Sequence, residues 1–126
     1  MISFVQGFSY SYLVNSNGGV KTNFFHVLGR YVQTGETTNF PGQKCNPRLP
    51  IYKHESRNTY LYVQCNHWVI ADKLHHNVAD IFALKTEVNS VPTVKSWRYR
   101  HKGKVQSDTT MRVKRVAKGK KLFNYY

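Results

Sequence analysis

No segment of this chain sustains apolar residues at i, i+3, i+4 and i+7 for three turns, and that constrains its fold more than any other feature. Short runs rich in β-branched and aromatic residues recur instead, divided by turn formers. Phe8 to Val14 alternates Tyr10, Tyr12 and Val14 against Ser9, Ser11 and Leu13. The cluster from Asn15 to Gly19 is a turn, and Val20 to Leu28 is expected to return as the partner strand of a hairpin. Arg30 to Thr34 follows the break at Gly29. A loop rich in Gly, Pro, Asn and Thr runs from Gly35 to Pro50, with Pro41-Gly42 and Asn46-Pro47 as its turn signals.

Ile51–His54, Tyr60–Val63 and Trp68–Ala71 then come about eight residues apart, the rhythm of an antiparallel meander. Asp72 to Ala79 reads as a long turn or one helical turn, and Asp80 to Lys85 as extended. Val94 to Arg100 alternates Val94, Ser96 and Arg98 against Lys95, Trp97 and Tyr99. Lys102-Gly103-Lys104 is a turn, and Thr110 to Val113 with Val116 forms the last strand.

The expected fold is all-β: a small antiparallel sandwich or partly open barrel of about seven to nine short strands. The alternative is α+β, with one short helix near 72–84. Residues 1–116 form a single domain and 117–126 a basic tail, flexible or loosely docked. The expected core draws on Tyr10, Tyr12, Phe25, Tyr31, Tyr52, Leu61, Val63, Trp68, Ile70, Ile81, Trp97 and Val113. No apolar run approaches the ~20 residues of a membrane span. The first residues lack the basic and small-residue features of a signal peptide.

Charge divides the chain unevenly. Residues 1–94 hold eight Lys/Arg and five acids, a balance of +3; residues 95–126 hold eleven Lys/Arg and one acid, Asp108, a balance of +10. Such an excess attracts polyanions. The candidate binding residues are Lys95, Arg98, Arg100, Lys102, Lys104, Arg112, Lys114, Arg115, Lys118, Lys120 and Lys121. On strand parity Arg98, Arg100 and Lys102 form an outward rail, while Trp97 and Tyr99 point into the core. Arginine offers bidentate contacts to phosphate or sulfate, and lysine a point charge. The parity leaves no open stacking platform for bases beside the rail.

Other chemistry is poorly marked. His54, His67, His75, His76 and Cys65 are the right residue types for a soft metal, but only Cys65-x-His67 has a short ligand spacing, and polar loop positions account for them. The acids Glu36, Glu55, Asp72, Asp80, Glu87 and Asp108 are spread too thinly to mark a catalytic pair. The chain is therefore expected to be non-enzymatic, without cofactor or metal. Cys45 and Cys65 fit one disulfide, whose loop would contribute roughly 3 kcal/mol, or two separate thiols in the cytosol.

A spaced pattern runs through the middle of the chain: Ile51-Tyr52-x-His54, Tyr60-Leu61-Tyr62, Trp68-Val69-Ile70-x-Asp72, Pro92, Trp97 and Asp108-x-x-Met111-x-Val113, with Tyr31 and Thr34 upstream. It resembles a small aromatic-patterned β-rich module of secreted and cell-surface multidomain proteins of invertebrates, over about residues 29–113. The chain departs from that module at Val105-Gln106, where an aromatic is usual, and in its basic C-terminal third. The resemblance implies an extracellular setting and carries over no catalytic residue.

The reading of function is thus a secreted, matrix-type binding module that engages a polyanion (sulfated glycan, acidic matrix component or nucleic acid) through its basic C-terminal face. Its rival is an intracellular nucleic-acid-binding protein.

Overall fold

A computed structural model describes residues 10–38, 48–74, 79–84 and 97–117. β1 (Tyr10–Asn15) is followed by α1 (Gly19–Asn23), a 3-10 turn (Phe25–Val27), β2 (Gly29–Thr37), β3 (Pro50–His54), β4 (Tyr60–Gln64) and β5 (His67–Ala71). β6 (Ile81–Leu84), β7 (Trp97–His101), β8 (Lys104–Ser107) and β9 (Arg112–Ala117) complete the order. All nine strands join one antiparallel sheet in the order β8-β7-β6-β5-β4-β3-β2-β1-β9. The fold is all-β, an open barrel rather than a sandwich.

The curl follows from chain length. β8 and β9 are the two edges of the sheet, yet only residues 108–111 lie between them. Five Cα steps reach at most about 18 Å, whereas nine flat strands would span about 38 Å between their outer members. The sheet must therefore bend until its edges come near each other. Its concave face holds Tyr12, Val14, Tyr31, Tyr52, Leu61, Val63, Trp68, Ile70, Ile81, Trp97, Tyr99 and Val113, all buried. α1 and the 3-10 turn add Val20 and Val27 to the same cluster.

The segment expected to pair with β1 is therefore not a strand. Residues 19–27 fill the concave face, and β1 takes β2 and β9 as neighbours instead. The cause is a long-range contact: the Asp108 carboxylate accepts the Val20 N–H at 3.0 Å and so caps the first turn of α1. Gly19 is needed there because a Cβ would collide with the Tyr99 hydroxyl. Phe25, expected in the core, is 61% exposed, and Tyr10 is only partly buried. The structure also adds β8, which the turn at Lys102–Lys104 left unassigned.

The middle strands are buried on both faces. Ile51, Tyr62, Val69, Ala71 and Ala79 form a second cluster on the convex side, with Phe82 and Leu74 against it. The helix weighed near 72–84 is not seen: Asp72–Leu74 is a bend and turn and Ile81–Leu84 is β6, while 75–78 lie outside the described residues. Also outside them are Cys45, Lys95, Lys118, Lys120 and Lys121. Cys65 is disulfide-bonded. No helix among the described residues is long and apolar enough to cross a membrane.

Candidate polyanion-binding surface

β7 alternates as its sequence predicts: Trp97 and Tyr99 are 1% and 7% exposed, and Arg98 faces outward. Arg100 shares the face of Arg98 but is already engaged. Its Nη1 donates to the Ala79 carbonyl at 3.0 Å, and its guanidinium lies 5.4 Å from the Phe82 ring centroid. Phe82 meets His67 at 5.9 Å on an edge. Arg100 thus anchors β7 to β6, leaving Arg98 as the free cation of that face of β7 among the described residues.

Lys102 does not continue the rail. With φ of 52° at Lys102 and 78° at Gly103, the two residues make a tight turn with left-handed backbone at both positions, the form that suits a two-residue hairpin. Its side chain is exposed at the tip. Lys104 is exposed too, but it pairs with His101 and so sits on the opposite face of the hairpin from Arg98.

β9 splits its cations in the same way. Lys114 faces outward, directly opposite Leu13. Arg112 is outward as well, with Nη1 donating to the Thr109 and Met111 carbonyls at 2.9 and 3.0 Å. Arg115 opposes Tyr12 on the inner side. Its guanidinium stacks 4.5 Å from the Tyr10 ring centroid. Burial, with the neighbouring Tyr52 hydroxyl, pushes the Tyr12 phenol up to about 12.

Two cations on this convex face were missed in the sequence. Arg30 and Lys114 flank Leu13 on either side, and Lys53 opposes Val32, which shares Arg30's face. Parity marks Arg30 and Lys53 as outward, beside Tyr31 and Tyr52, but strand order alone makes them neighbours of β9. The surface thus has two basic groups, the β7–β8 hairpin and the β9–β1–β2–β3 face, joined by residues 108–111.

The single acid of the C-terminal quarter is bonded to no described cation of either group. Asp108 is 3% exposed. It accepts Ser16 Oγ at 2.6 Å, Val20 N–H at 3.0 Å, Thr110 N–H at 2.9 Å and Thr110 Oγ1 at 2.6 Å. Burial alone would raise its carboxyl; the bonds from Ser16, Thr110 and Val20 outweigh that and hold it below its ordinary value. Among the described residues the one contact between a basic side chain and a carboxylate is His26 Nε2 to Asp72 Oδ1 at 3.3 Å, so no described Lys or Arg is matched with a described carboxylate.

The histidines considered as ligands have other partners. His54 is buried, with Nε2 2.7 Å from the Leu28 carbonyl and Nδ1 accepting the Ser56 N–H at 3.1 Å. Both bonds are made together by the tautomer that donates from Nε2. Among the described residues no three His, Cys, Asp or Glu side chains converge as metal ligands. A cavity of about 370 Å³ is lined by Phe24, Val27, Ile70 and Ile81 together with His26 and Asp72. Comparison of the chain with protein families, with curated proteins and with solved structures finds no match.

Proposed function

We propose that this chain is a non-enzymatic, matrix-type binding module of an oxidising compartment, and that it engages a polyanion through the exposed cations of β7–β9. The observation that carries this reading is the unmatched charge: no described Lys or Arg has a described carboxylate partner, and the one nearby acid is turned inward. Charges left unpaired in water keep their full attraction for an external anion and release its counterions on binding. The disulfide at Cys65 supports an oxidising setting. With Trp97 and Tyr99 buried, neither offers a stacking surface to bases beside Arg98.

Binding to a heparin fragment, single-stranded DNA and RNA, each titrated with salt, tests the reading. Steep and similar slopes on all three are expected, since counterion release is blind to sequence. Changing Arg98, Lys102, Lys104, Arg112 and Lys114 together to Ser lowers the slope on single strands by up to about 3.5, at ~0.7 per lost contact. Unchanged affinity in that variant would remove this surface from the account. A preference for one nucleic acid that survives high salt would favour base or shape contacts instead.

A further inference from the structure

We propose that the outer edge of β8 is a strand-addition site for an extended acidic polypeptide. Its backbone would pair with Val105 and Ser107 while its carboxylates meet Lys102, Lys104 and Arg98. The inference rests on the polyanion reading and names the polyanion's class.

The hydrogen-bonding phase of the hairpin sets which groups are free. In an antiparallel pair closed by a two-residue turn, the residues flanking the turn exchange both bonds, and bonded and non-bonded pairs then alternate. The turn is Lys102–Gly103, so His101 and Lys104 are a bonded pair, as are Tyr99 and Gln106. Two residues further on, the Asp108 N–H donates to the Trp97 carbonyl at 3.0 Å, which fixes that phase independently. On the far side of β7, the Arg100 N–H donates to the Asp80 carbonyl at 2.7 Å, as a non-bonded partner of Val105 should. Val105 and Ser107 therefore point their N–H and C=O groups away from β7, and no other described strand pairs with that edge.

β8 is exposed along all four residues, and Val105, 48% exposed, leaves apolar surface beside the free groups. Proteins commonly guard such edges with short strands and lysines. Here that guard is selective. A second copy of this chain brings a net charge of +13 and is repelled, while an acidic strand meets Lys104 on the edge itself and Lys102 at its tip. Ser107, opposite Arg98, is small enough to let the guanidinium lie across it toward the added strand. In this mode backbone bonds supply affinity and the flanking charges select the partner.

The probe is an acetylated octapeptide of paired glutamates and paired threonines, which puts carboxylates on both faces of the added strand, read by fluorescence anisotropy beside a heparin fragment. Val105→Pro removes the outward N–H without touching a bond to β7 or any charge. It is expected to weaken peptide binding at least about tenfold, equivalent to about 1.4 kcal/mol, and to leave heparin binding unchanged. The same peptide, N-methylated at alternate amides so that it keeps its charge, is expected to lose as much against the unaltered protein. That arm decides the matter even if V105P does not fold. Peptide binding unaffected by N-methylation would overturn strand addition, as would heparin binding with no peptide binding, the polyanion reading then standing. Failure of both probes would overturn both.

Discussion

Asp108 and the cations around it come from one stretch of sequence, residues 97–117, and the fold treats them in opposite ways. The carboxylate is withdrawn from water and surrounded by donors from Ser16, Val20 and Thr110. Arg98, Lys102, Lys104 and Lys114 stay in solvent without an opposite charge among the described residues. A buried charge must be solvated by the protein, so its neighbours become part of the fold. An exposed charge costs the fold little and remains available to a ligand. The buried charge and the cations of the proposed binding surface are thereby separated within about twenty residues.

The largest effect should come from breaking the buried side. Asp108→Asn keeps the shape but loses charge-assisted bonds to both ends of the chain, and about 3 kcal/mol of destabilisation is expected in urea melts. Because the folded-state pKa of Asp108 is depressed, its contribution is present above the unfolded value near ~3.9 and is lost as pH falls through the folded one. The wild-type chain should therefore lose stability below about pH 4, and D108N should lack that part of the slope. Heparin affinity of folded D108N should match wild type; a large loss there would mean that junction and surface are not separable.

A somewhat smaller effect is expected at the other end of β1's partner strand. Gly29 has φ of +134°, and a Cβ there would lie 2.5 Å from His54 Nε2. Gly29→Ala strains the backbone and displaces a buried ring bonded to Leu28 and Ser56, for about 2 kcal/mol. A thermal midpoint equal to wild type would show that β2 and His54 shift freely. The smallest effect sharpens the exposed side: Arg98→Ser with Lys102→Ser should change stability by no more than about 0.5 kcal/mol. A larger loss of stability would make these residues part of the scaffold.

Much of the fold is legible in the sequence where local pattern and burial agree. Tyr31, Tyr52, Leu61, Trp68, Ile70 and Trp97 recur at strand spacing and are all buried. Val20 to Leu28 misleads for a physical reason: its valines and phenylalanines read as a strand, but Asp108, 88 residues away from Val20, supplies the donor-satisfying contact that makes it helical. Phe25 misleads with it, since a helical turn sends that ring outward. β8 is hard to see because a strand exposed on both faces has no apolar alternation to show.

The candidate surface divides along the same line. Parity alone assigns Arg98 to the outside of β7 and Trp97 and Tyr99 to the inside. It does not show that Arg100 is occupied by Ala79 and Phe82, or that Lys102 belongs to a turn.

The sequence by itself determined the all-β class, the inward aromatics and the basic excess, because a two-residue period and a net charge are properties of local order and composition. Tertiary structure alone decided which strands are neighbours, that the sheet curls until its edges approach, that Arg30 and Lys53 join Lys114, and that no other described strand pairs with the outer edge of β8. Those follow from pairings between distant residues and from where hydrogen bonds are left unmade, and neither is written in any local window.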